Sequence, residues 1–118
     1  MNIFDLEGLS EKEEVIKILA ESKNVKIEKI ISTGQTTDWQ ESEQNEFVIL
    51  VQGEAEIEYF KDKNFEKNEN IIKNQRNTNN KKLQLEKGDT VLINRDERHR
   101  VSYTSKNPCC IWICIFFD

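Results

Sequence analysis

At 118 residues and 13.9 kDa the chain has the length of one domain, and its hydrophobic share of 36% is enough for a single buried core. Twenty-two acidic against seventeen basic side chains give a net charge of -5, which argues against broad binding of a nucleic-acid backbone. The single histidine excludes, from this chain alone, a three-histidine zinc site and a histidine pair at helical spacing.

The first residues, Met1-Asn2-Ile3-Phe4-Asp5, lack the basic start and apolar run of an export signal, so the expected compartment is the cytoplasm. Ser10 followed by Glu13 has the spacing of a capping box. After it Val15, Ile16, Ile18 and Leu19 form an apolar stripe, which predicts a short helix within an N-terminal segment 1–24. From residue 25 the pattern becomes that of strands. Val25 and Ile27 alternate with Lys26 and Glu28, and Glu46 to Gln52 is a nearly continuous apolar run that Gly53 breaks. Ala55, Ile57 and Tyr59 alternate with glutamates. Leu83 and Leu85, Thr90 to Ile93 and His99 to Thr104 follow, with a turn at Lys87-Gly88-Asp89. Cys110 to Phe117 closes the series as a strand apolar on both faces, too short to cross a membrane as a helix. Many short strands with turns between them predict an all-β barrel or sandwich over 25–118.

Residues 61–82 interrupt this pattern. They hold seven basic and three acidic side chains, a local +4, so the rest of the chain carries -9. The segment is rich in Asn and Lys and without periodicity, and is expected to be a low-complexity expansion rather than a functional lid. Cys109, Cys110 and Cys114 are an odd, clustered set with no CxxC spacing, expected to be reduced core thiols.

Two glycine-anchored segments carry the chemistry. The first runs from Gly34 through Gln40, Ser42 and Glu46 to Gly53, and the second from Gly88 through Asn94 and Asp96 to His99. Their order and spacing resemble the two motifs of the cupin superfamily, especially its small single-domain bacterial members. In the first family motif two histidines stand where this chain has Gln40 and Ser42, while Gly34, Glu46 and Gly53 are in register. In the second, Asn94 and Asp96 replace a Pro and a Gly, and Gly88 and His99 match.

The resemblance implies an antiparallel jelly-roll β-barrel open at one end. In metal-binding relatives these motif positions converge on one divalent ion (zinc, iron, manganese or nickel). Carried over residue by residue, Glu46 and His99 remain, with Gln40 as a neutral third candidate. A catalytic metal ordinarily takes about three protein ligands. Glu46 and His99 would equally form an internal ion pair, with Arg98 or Arg100 as other partners for the carboxylate. Glu41 and Glu43 lie close by, but strand alternation would turn them the other way.

The expected ligand-binding set is therefore Trp39, Gln40, Glu46, His99, Tyr103 and Trp112, three aromatic walls and three polar groups. Three functions remain open at this point. The first is a module that binds a small organic molecule inside the barrel. The second is a metal-dependent isomerase or oxygenase using His99 and Glu46. The third is a protein whose role is association, through a homodimer formed on the outer face of the last strand. No nucleic-acid or membrane partner is expected.

Overall fold

A computed structural model describes residues 1–60 and 80–118, and the expected expansion falls almost wholly outside them. The described residues form eight strands: β1 (Val15–Glu21), β2 (Val25–Ser32), β3 (Asn45–Gln52), β4 (Ala55–Phe60), β5 (Asn80–Leu85), β6 (Thr90–Ile93), β7 (His99–Thr104) and β8 (Cys110–Phe117). They form a five-stranded sheet in the order β1-β2-β8-β3-β6 and a three-stranded sheet in the order β5-β4-β7. Every strand pairing is antiparallel. The chain is thus an all-β jelly roll, and among the described residues no helix is long and apolar enough to cross a membrane.

The core lies between the sheets. Val48 and Leu50 of β3, Cys110, Trp112 and Cys114 of β8 and Ile93 of β6 meet Ala55 and Ile57 of β4 and Leu85 of β5. The position of β8 explains its unbroken apolar run. It is hydrogen-bonded on both edges, to β2 and β3, and its even-numbered residues fill the core. Its odd-numbered residues lie on the sheet's other face, where Ile111 is fully buried. All three cysteines are free and buried, as expected of core thiols.

The predicted N-terminal helix does not form. The Ser10 hydroxyl accepts from the Lys12 N–H at 3.1 Å, a local turn rather than a capping box. Val15–Glu21 is instead the edge strand of the larger sheet, in register with β2 from Val15↔Ile31 to Glu21↔Lys26. The segment VIKIL is compatible with either period. Its β-branched residues fit a pleated surface, and an open edge on β2 supplies hydrogen bonds that a lone short helix would lack. Ile16 and Ile18 are consequently 54% and 51% exposed.

The motif glycine at 53 has a steric reason. Its φ is +93°, and a β-carbon there would lie 2.8 Å from Cys110 Sγ and 2.9 Å from the Cys109 carbonyl oxygen. Asp96, standing where the family motif has glycine, keeps that residue's left-handed backbone at φ +68°. Aspartate is among the few L-residues that tolerate this region.

Candidate functional site

Between the sheets, at the end formed by β1, β2, β8, β3 and β7, lies a cavity of about 570 Å³. Three hydrogen bonds between neighbouring backbones assemble its motif residues. Gln40 and His99 exchange both main-chain bonds, Gln40 N–H to His99 C=O at 2.8 Å and the reverse at 3.0 Å. Residues directly opposite in such a pair share a face, so both side chains enter the cavity. Asp96 N–H donates to the Ser42 carbonyl at 3.0 Å and ties the second motif to the first. Glu46 is the second residue of β3, flanked by Ile93 of β6 and Phe116 of β8.

Glu46 and His99 do converge. His99 Nε2 lies 3.7 Å from Glu46 Oε1, with the two side chains 8% and 13% exposed. That separation is beyond hydrogen-bond reach. The other ring nitrogen, Nδ1, is 3.2 Å from the Glu97 carbonyl oxygen. A carbonyl only accepts, so Nδ1 carries the hydrogen. The arginines weighed as partners for Glu46 are engaged elsewhere: Arg100 pairs with Glu58 at 2.6 Å, and Arg98 lies over the rings of Trp39 and Phe60.

Of the six expected binding residues, Gln40, Glu46, His99 and Trp112 line the cavity, whereas Trp39 and Tyr103 do not. Trp39 precedes the Gln40–His99 pair by one residue and so turns to the other side. There it stacks on Phe60, ring centres 4.8 Å apart, with the Arg100 guanidinium 4.7 Å from its own centre. Tyr103 is diverted by a bulge. β7 pairs Val101 with Ile57 but Tyr103 with Glu56, leaving Ser102 as the extra residue. One extra residue sends its successors to the opposite face, and Tyr103 is 50% exposed.

The structure adds residues that sequence reasoning missed. Glu14, Glu28, Glu41 and Glu43 line the same cavity as Glu46. Glu41 and Glu43 lie in a non-repetitive segment with Ser42, where strand alternation does not apply. Glu28 faces inward because β2 turns Lys26, Glu28, Ile30 and Ser32, not Val25 and Ile27, towards the cavity. Its register partner on β8 is Cys114. The signal available in the sequence was Ser32 at the same parity as Glu28, on a strand with two mixed faces.

Burial governs the charges here. It pushes the Glu46 carboxyl above its ordinary range, against the pull of His99 and the Cys114 hydrogen bond and with added repulsion from Glu28. Burial also raises Glu14, opposed by the Ser32 hydrogen bond and reinforced by Glu28. The Cys114 thiol is pushed well up by burial and then by Glu46, Glu28 and Glu14, which makes it inert as a nucleophile. Trp112 donates its indole N–H to Ser32 Oγ at 3.2 Å, which fixes the ring as a wall of the cavity.

The donor set departs from the one that holds a metal at these motif positions in metal-binding relatives, with Glu46 and His99 as its two strong donors. Gln40 and Ser42 are neutral oxygen donors where two imidazoles would be needed. Among the described residues no three His, Cys, Asp or Glu side chains are gathered as a metal site.

No family model and no curated protein matches the chain. Solved structures do. A Ralstonia eutropha protein proposed to be a mannose-6-phosphate isomerase superposes with a TM-score of 0.79 at 28% identity, over 100% of this chain and 96% of that one. A cupin superfamily protein from Desulfitobacterium hafniense gives 0.69 at 18% identity, covering 95% and 84%. KdgF from a Halomonas species gives 0.65 at 14%, covering 92% and 82%. With the jelly-roll order of strands, the two motifs brought together across one cavity and these neighbours, the chain has the cupin fold.

Proposed function

We propose that this cupin-fold protein binds a small organic molecule inside its barrel. The cavity carries the reading: its volume falls within the usual small-molecule range of roughly 300–1,000 Å³, and it joins an apolar wall to convergent polar groups. Trp112, Ile57, Ile93 and Val101 supply the wall, and Gln40, Glu46 and His99 supply the polar contacts. The substrate for which the Ralstonia protein is named does not transfer readily, because its phosphate would meet the cavity's carboxylates. The test is a fragment screen followed by NMR, in which a true ligand moves the Trp112 indole and His99 ring signals together. A screen whose hits all map outside the cavity overturns the reading.

A metal-dependent enzyme is the second reading, favoured by the meeting of Glu46 and His99 at their motif positions. Elemental analysis of tag-free protein decides it. Near-stoichiometric zinc, iron, manganese or nickel that is lost on His99→Ala would establish the metal, and its absence would remove this reading.

The proposal includes a cytoplasmic homodimer. Phe47, Ile49, Ile113 and Ile115 form a half-buried apolar band on the outer face of the larger sheet, and Leu92 beside them is 52% exposed. Sedimentation should give a dimer that Ile113→Lys dissociates, and a monomeric wild type would refute it.

A further inference from the structure

The cavity's chemistry selects among small molecules. We propose that its ligand is a small organic cation, an amine or a guanidine with an apolar body, whose charged nitrogen seats among Glu14, Glu28, Glu46 and His99. This rests on the reading of the cavity as a binding site and gives it a substrate class.

The first support is the placement of the acids. Glu14, Glu28 and Glu46 come from three different segments, just before β1, from β2 and from β3, yet all three line the one cavity, with Glu28 directly opposite Cys114 of β8. Glu14 and Glu46 each also feel Glu28. Glu41 and Glu43 add two more carboxylates to the same lining, against the single ammonium of Lys26. Holding this much like charge in a partly enclosed space disfavours ionisation. A guest cation relieves that repulsion, whereas an anion increases it and a neutral guest leaves it unchanged.

The second support is the imidazole of His99. His99 is buried, with a side-chain exposure of 8%, and it faces the cavity. Its Nδ1–H is directed at the Glu97 carbonyl, so in the neutral ring Nε2 presents only a lone pair. No described residue lies within hydrogen-bond reach of Nε2, since Glu46 stands at 3.7 Å. A buried acceptor without a donor is costly and calls for one from the ligand.

Two strong donors of the lining are already engaged. The indole N–H of Trp112 goes to Ser32, and the Lys26 ammonium sits 3.3 Å from Glu28. What the cavity offers a guest is therefore weighted towards acceptors, and an ammonium, with three donors and no acceptor, is its complement. The Trp112 ring and the neighbouring Ile30, Val48 and Phe116 receive the apolar part of such a molecule.

The experiment uses three molecules of matched shape: cyclohexylmethylamine, cyclohexylmethanol and cyclohexanecarboxylate. Each is titrated into the full-length protein near neutral pH while the Trp112 indole signal is followed by NMR. The amine should bind tightest, the alcohol about tenfold or more weakly and the carboxylate not measurably, the step expected when charge-assisted hydrogen bonds are lost. The double variant Glu14→Gln/Glu28→Gln should lose about tenfold or more in amine affinity, while its far-UV circular dichroism stays that of the wild type and reports that it is folded. Alcohol or carboxylate binding equal to that of the amine, or an unaltered amine affinity in the double variant, overturns the cation while leaving the binding cavity in place. If none of the three moves the Trp112 signal, both the cation and the binding reading fall.

Discussion

Gly53→Ala should unfold the site from behind, and its cost can be worked from the geometry. At φ +93° the backbone is in the left-handed region, where an L-residue bears strain of about 1–3 kcal/mol. The added methyl meets Cys110 Sγ at 2.8 Å, the Cys109 carbonyl oxygen at 2.9 Å and Cys110 Cα at 2.9 Å. Two of these three are backbone atoms that cannot swing aside, so the overpacking contributes a further 1–3 kcal/mol or so. Together about 2–6 kcal/mol is expected, centred near 4 kcal/mol, a large part of the roughly 5–15 kcal/mol that holds a domain folded. Cys110 is fully buried two residues before Trp112, so any displacement passes directly to the cavity wall.

Urea unfolding followed by tryptophan fluorescence is a suitable assay. With a slope of about 1–3 kcal/mol per molar, the midpoint should fall by roughly 2 M. Cys110→Ala provides the internal control, because it removes the sulfur while leaving the backbone contacts. In that background Gly53→Ala should cost less, and the double-mutant cycle measures the sulfur's share. A Gly53→Ala protein within about 1 kcal/mol of wild type would refute the reasoning, because it would show that the turn relaxes freely.

Three further outcomes are expected. Asp96→Gly should stabilise the protein by about 0.5–1 kcal/mol in the same urea assay, since glycine removes the cost of a left-handed L-residue, and destabilisation would show that the aspartate side chain matters more. Trp112→Phe should cost about 1–2 kcal/mol by leaving the buried Ser32 hydroxyl without its indole donor, and the loss should shrink when Ser32→Ala accompanies it. Glu14→Gln should alter the pH dependence of stability. Because the folded-state pKa of Glu14 is raised, wild-type stability from this group is full below the ordinary value of 4.5 and is lost as pH rises through the folded value. The variant should therefore be the more stable protein at neutral pH and lose that advantage in acid. A constant difference across the range would contradict the burial of this carboxyl.

The order of strands, the turns between them and the two motif segments were legible in the sequence, because each depends on local pattern. Period-two alternation marks a half-buried strand wherever it occurs, and a glycine at a strand's end marks a backbone that other residues cannot follow. Glu46 and His99 were legible by the same motif spacing. The N-terminal strand was not, because Val15 to Leu19 satisfies both periods locally. What settled it was the free edge of β2, which lies elsewhere in the chain.

Facing was the other property beyond the sequence. A single extra residue at Ser102 turns Tyr103 out of the cavity, and the Gln40–His99 pairing sends Trp39 to the opposite side. The charge shows the same division. Composition established a net -5 made of an acidic body and a basic segment. Only the fold decided that five of the body's glutamates would line one cavity, because cross-strand register, not sequence separation, sets which carboxylates share a space.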